Sequence, residues 1–179
     1  MNENINNTLI LITDTYPFGA VAESFLDNEI PYLSKSFDFI VIVPCYYPAD
    51  IERIERKLSE NITLNISLLN QIKNYKKIKF FLNINILFKF ILFFKEILRK
   101  PEIIIDIRKL KKAFFYLYIA NIVEKWVLDF IKETDINLSQ TVFYTYWLGA
   151  ATMGINLAKK KNNSIKLISR AHRYDLYED

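Results

Sequence analysis

The sequence predicts an α/β fold built on a mostly parallel, doubly wound sheet, and three observations lead there. Four short runs, 8–13, 39–43, 141–146 and 165–169, are apolar and rich in β-branched or aromatic residues, as strands buried on both faces are. The first two runs are joined by a segment of helical periodicity within about 35 residues, which makes a βαβ unit whose crossover is right-handed in nearly all cases. With 179 residues, 51% of them hydrophobic, the chain is long enough to bury one substantial core.

Taken in order, Thr8 to Thr13 is the first strand and Asp14 to Gly19 a turn-rich loop. Ala22 to Ser34 has helical spacing, with Phe25, Leu26, Ile30 and Leu33 on one side and Glu23, Asp27 and Glu29 on the other. Pro31 should bend this helix or end it early. Phe39 to Val43 is the second strand, closed by Pro44. Pro48 to Glu60 reads as a short charged helix, and Ile62 to Ile66 alternates apolar with polar as an edge strand does.

From Asn70 to Ile131 the pattern is helical and strongly apolar. Within its most apolar segment, 80–98, the longest charge-free piece, Phe80 to Phe88, falls far short of the roughly 18 residues a spanning helix needs. Lys76, Lys77, Lys79, Lys89, Lys95, Arg99 and Lys100 accompany it. A basic, aromatic-rich helix of this kind fits an interfacial helix drawn to anionic lipid. It equally fits a helix packed on the sheet with its lysines snorkelling outward, and one face can serve each purpose. Pro101 separates it from Ile107 to Ile131, an amphipathic helix with a basic start and with Glu124, Lys125, Asp129 and Lys132 expected outward.

The last third returns to α/β. Thr141 to Tyr146 is a strand, Trp147 to Gly149 a turn, and Ala150 to Lys161 a helix whose Ala150, Ala151 and Gly154 allow close packing on the sheet. Lys159, Lys160 and Lys161 suit a helix C-terminus. Ile165 to Ser169 is the final strand.

The net charge of +4 is unevenly placed: residues 71–112 carry 12 Lys and Arg against 3 Asp and Glu, a local +9. Such asymmetry points to an anionic partner met by one stretch. Nucleic acid is disfavoured, because no recognised motif occurs and the phenylalanines lie in apolar clusters, not spaced along a basic groove. Cys45 is alone, which excludes a disulfide framework and CxxC-type metal binding. The polar, asparagine-rich start has no secretory character. A cytoplasmic location is expected, peripheral on the inner face of the cell membrane if the basic helix meets lipid.

In open α/β sheets ligands sit outside the carboxyl ends of the strands. Two stretches qualify. The loop from Asp14 to Glu23 holds Gly19, where a backbone can approach a ligand closely, although neither dinucleotide nor P-loop fingerprint occurs. The stretch after the last strand holds the chain's single histidine, His172, among Arg170, Arg173 and Asp175. These groups are costly to bury but suit a sugar or a phosphate. The plain alternative is a solvated tail.

Three stretches together carry a family resemblance: TDTYPFG and AESFLDNEIPYL within 9–33, VFYTYWLGA at 142–150, and LISRAHRYDLYE at 167–178. The chain resembles the N-terminal, Rossmann-like domain of GT-B glycosyltransferases, and within them the retaining family 4 enzymes of bacterial cell-surface polysaccharide synthesis. The resemblance implies transfer of a sugar from a nucleotide-sugar donor to a saccharide or lipid-linked acceptor, with retention and with neither metal nor other cofactor. It implies that His172 contacts the donor sugar as the catalytic histidine. It places Gly19, Arg170, Arg173 and Asp175 near the donor diphosphate, and Tyr16, Glu23 and Trp147 on the acceptor side. Positive charge on the sugar ring and negative charge on the leaving diphosphate would be stabilised by such donors and by a helix N-terminus.

One departure qualifies this. The family's donor-helix spacing, E-x7-E, is matched by Glu52 and Glu60, but these lie beside Arg53, Arg56 and Lys57 on a charged run of the first half, which is a solvated face and a chance match. The expectation is that 1–179 is an acceptor-side domain incomplete at its C-terminus, lacking the donor-binding domain and inactive alone. The rival is a non-catalytic Rossmann-like binding module that docks to a membrane or an acidic partner through the basic helix.

Overall fold

The computed structural model describes residues 7–19, 23–46, 56–74 and 107–172. Five strands form one all-parallel sheet: β1 (Thr8–Thr13), β2 (Phe39–Pro44), β3 (Ile62–Leu64), β4 (Thr141–Thr145) and β5 (Lys166–Ser169), in the order β3-β2-β1-β4-β5. The helices are α1 (Phe25–Ser36), α2 (Ser67–Asn74), α3 (Ile107–Thr134) and α4 (Ala150–Lys161). This is the α/β, Rossmann-like architecture that the sequence predicts.

β1 is central because both its faces are apolar. Thr8 lies opposite Phe39 on one side and Thr141 on the other, and Leu9 to Ile12 are at most 2% exposed. Alternate residues of a strand face opposite ways, so the sheet divides the core in two. Ile10, Ile12, Val43 and Phe143 join residues of α2, α3 and α4 on one face. Leu9, Leu11, Ile40, Ile42 and Tyr146 join Leu26 and Ile30 of α1 on the other. The strand order changes direction between β1 and β4, so the loops after those two strands flank a topological switch point.

Several expectations are corrected. Pro31 does not end α1, which continues to Ser36; its ring lies on the exposed face, where water can satisfy the carbonyl it frees. Glu23 is not on the polar side of that helix but precedes it, with φ 56. Arg56 to Glu60 are irregular or turn, not helical. α3 is broader in its burial than an amphipathic helix, since α2, α4 and the sheet all contact its 117–130 portion. Glu124 therefore points inward, 3% exposed, and its carboxylate takes Lys161 Nζ at 3.0 Å, because a buried charge needs a partner. Gly154 packs on α3 and not on the sheet: a Cβ there would lie 2.6 Å from both Ala120 O and Val123 Cβ. Residues 75–106, with the basic apolar segment, lie outside the described residues. Among the described residues no helix is long and apolar enough to cross a membrane.

Candidate functional site

The loop after β1 is built around a carboxylate. Glu23, 8% exposed, accepts the backbone N–H groups of Asp14 at Oε1 (2.9 Å) and of Thr15 and Tyr16 at Oε2 (2.8 and 2.7 Å). Thr15 Oγ1 adds a longer bond to Oε2 (3.3 Å). A carboxylate only accepts, and charge-assisted bonds of this kind are the stronger class, so three consecutive amides converge on one side chain. Within the loop Thr13 Oγ1 donates to Tyr16 O (2.8 Å) and the Phe18 amide to Thr15 O (2.8 Å); the Tyr16–Pro17 peptide is cis. Gly19 has φ 79, a conformation in which glycine carries no steric penalty.

The turn after β4 is held from two sides. Trp147 Nε1 donates to Glu23 Oε1 at 2.9 Å, which bonds the second loop to the first. The Trp147 carbonyl accepts from Thr152 Oγ1 (2.9 Å) and from the Gly149 amide (3.0 Å). Thr152 lies in a hydroxyl cluster with Thr145 (2.7 Å) and Ser169 (3.1 Å), and Thr145 donates to Ser169 at 2.8 Å. Each hydroxyl has one proton, so these three side chains share three donated bonds among four close contacts, the Trp147 carbonyl being the pure acceptor.

His172, just beyond β5, completes the group. Its ring centroid is 4.3 Å from that of Trp147 and 4.8 Å from that of Tyr146, and its Nε2 is 3.0 Å from Tyr146 O. A carbonyl can only accept, so Nε2 carries the proton and Nδ1 is the acceptor in the neutral ring. Arg170 turns the other way: Nη1 meets Glu29 Oε2 at 2.8 Å and the guanidinium lies 5.5 Å from the centre of the Tyr146 ring. Burial, and next the charge of Glu29, push the Tyr144 phenol up despite Arg170. Burial likewise pushes Tyr146 up, whose enclosed hydroxyl has no hydrogen-bond partner among the described residues.

A cavity of about 140 Å³ opens at the carboxyl ends of β1, β2 and β4, and one of similar size is known to admit a six-membered ring. Asp14, Cys45, Tyr46, Trp147 and Gly149 line it, with Phe115 and Tyr116 of α3 and the first residues of α4. Burial pushes the Cys45 thiol far up, as do Asp14 and Glu23 to a lesser degree; it is therefore a neutral thiol and not a nucleophile. Burial raises Tyr46 as well.

The predicted residues divide accordingly. Trp147 forms a wall of the cavity, His172 packs against that wall, and Glu23 ties the wall to the first loop. Tyr16 is 2% exposed in the α1-side core, with Arg56 4.8 Å from its ring centre and its hydroxyl bonded to Asp27. Its side chain therefore faces the core and not the cavity. Burial, then Asp27, raises its phenol to about 12. Gly19 shapes the first loop, and Arg170 belongs to an ion pair with α1. Arg173 and Asp175, with Lys76, Lys77, Lys79, Lys89, Lys95, Arg99 and Lys100, lie outside the described residues.

Sequence reasoning placed Asp14 in a candidate loop without giving it a role, and missed Cys45 and Tyr46, although these are the first two residues after β2, which was a usable signal. It also missed Phe115 and Tyr116, which α3 delivers from a distance and which no local pattern marks. Among the described residues no grouping of His, Cys, Asp and Glu could hold a metal ion. No protein-family model, no curated protein and no solved structure matches the chain.

Proposed function

We propose that the chain is the acceptor-side, Rossmann-like domain of a retaining GT-B glycosyltransferase that transfers a sugar from a nucleotide-sugar donor to a saccharide or lipid-linked acceptor in cell-surface polysaccharide synthesis. The observation that carries this reading is Trp147, which lines a ring-sized cavity at the carboxyl ends of adjacent strands and has His172 packed against it. An indole face suits the apolar face of a sugar. An imidazole beside the indole matches the hydrogen-bonding character of sugar hydroxyls. The first turn of α4, at the cavity edge, favours negative charge on a diphosphate oxygen.

In the arrangement the resemblance implies, a donor-binding domain holds the donor opposite Trp147. The acceptor side is membrane-facing in this reading. Support comes from α3, where the exposed Arg108 and Lys112 precede the half-exposed Phe115 and Tyr116 at the cavity rim.

The test is a transfer assay on the protein with its donor-binding domain, using a panel of nucleotide sugars and saccharide or polyprenyl-diphosphate acceptors. His172→Ala is expected to lower turnover at least about tenfold, or about 1.4 kcal/mol of transition-state stabilisation. Unchanged turnover would remove His172 from the site, and absence of any transfer across the panel would count against the reading as a whole.

A further inference from the structure

We infer that Glu23 is the positioning residue of this site: its Oε1 fixes the spacing of the two loops that bound the cavity. Asp14 and Trp147 both line the cavity, one on the loop after β1 and one on the loop after β4. The Asp14 amide and the Trp147 indole N–H both donate to the same Glu23 oxygen, each at 2.9 Å. One atom therefore sets the distance between two parts of the cavity wall that are far apart in sequence.

A carboxylate that only capped its own loop would need the three amides and nothing more. Here Oε2 takes the Thr15 and Tyr16 amides, while Oε1 is shared with a residue 124 positions away. The backbone is committed to this arrangement too. Glu23 holds φ 56, a left-handed conformation that residues with a Cβ seldom adopt. Such a conformation persists where surrounding bonds over-determine it, and it is found most often at sites and switches. Trp147 is in turn fixed at its main-chain carbonyl by Thr152, so the residue is held at its backbone and at its indole N–H, and His172 packs against the ring so held.

The inference rests on the glycosyltransferase reading only for the ligand, not for the latch. Trp126 and Trp147 are the two tryptophans, so Trp126→Phe leaves Trp147 as the one reporter. In that background Glu23→Gln replaces one acceptor oxygen by an NH2 facing N–H donors. Acrylamide quenching of Trp147 is expected to rise roughly twofold and exchange of its indole N–H about tenfold, with far-ultraviolet circular dichroism unchanged. Unchanged quenching and exchange would overturn the latch.

If Glu23→Gln does not fold, Trp147→Phe tests the same bond while sparing the three amides. Exchange of the Asp14 amide should then rise at least roughly threefold, and no change would show that Glu23 caps its own loop alone. Saturation-transfer NMR of the wild-type chain with methyl glycosides and UDP-glucose separates the two ideas. If the latch readouts move but no sugar makes contact, the latch stands and the glycosyl reading fails.

Discussion

At the amino ends of the strands, asparagines and an aspartate close the chain on itself. Asn137 Oδ1 accepts the amide and hydroxyl of Ser139 before β4 (3.0 and 2.8 Å), and Asn162 Oδ1 accepts the Ser164 amide before β5 (3.1 Å). Asn61 donates to the carbonyls of Ser34 and Phe37 before β3, and the Asn7 amide meets Asp38 before β1. At the carboxyl ends two side-chain bonds reach much farther along the chain, Glu23 to Trp147 over 124 positions and Arg170 to Glu29 over 141, against at most 31 for the amino-end bonds just named. The difference teaches where function can reside. An end closed by turns and by bonds between consecutive elements has these polar groups occupied close by, whereas an end closed across the whole sheet brings separate loops together around a cavity.

The contrast can be broken most severely at Glu23. Glu23→Ala strands three amides and an indole N–H, and should cost about 3 kcal/mol in urea unfolding, at 1–3 kcal/mol for each buried group left unsatisfied and partial rescue by water. A second test uses pH. Tyr16 stays protonated to about 12 in the fold against 10.0 ordinarily, because of burial and then Asp27. The folded state thus binds more protons between those values, and its stability is complete below pH 10 and declines as pH rises through about 12. Tyr16→Phe should flatten that part of the stability profile. A smaller effect belongs to the amino end: Asn162→Ala should cost about 1 kcal/mol and leave Trp147 quenching untouched. The smallest is Arg170→Gln, whose partly exposed pair with Glu29 should contribute under about 1 kcal/mol. A larger loss than that of Asn162→Ala would show that the exposed pair is structurally part of the site.

The same contrast explains what could be read in advance. β1, β2, β4, β5 and α4 were legible to within a residue or two, because uninterrupted β-branched runs and a Lys-rich, Asn-terminated helix are local signals. Gly154 was legible as a close-packing residue, but its partner α3 was not, since helix contacts depend on the whole layer. Glu124 was taken for surface charge, and Glu23 for an acceptor-side carboxylate on the polar side of the first helix. Sequence pattern has no means of showing that Lys161 will neutralise the one or that three backbone amides will gather round the other. His172 and Trp147 were legible as candidates, each following a strand, but their mutual packing was not.

The account stands on Trp147 at the cavity and on His172 packed against it. Emission from Trp147 in the Trp126→Phe chain, titrated with methyl glycosides and nucleoside-diphosphate sugars, tests it most directly. A saturable change is predicted, weakened about tenfold by His172→Ala. Emission unaffected by every sugar, or a response that His172→Ala leaves intact, would contradict it.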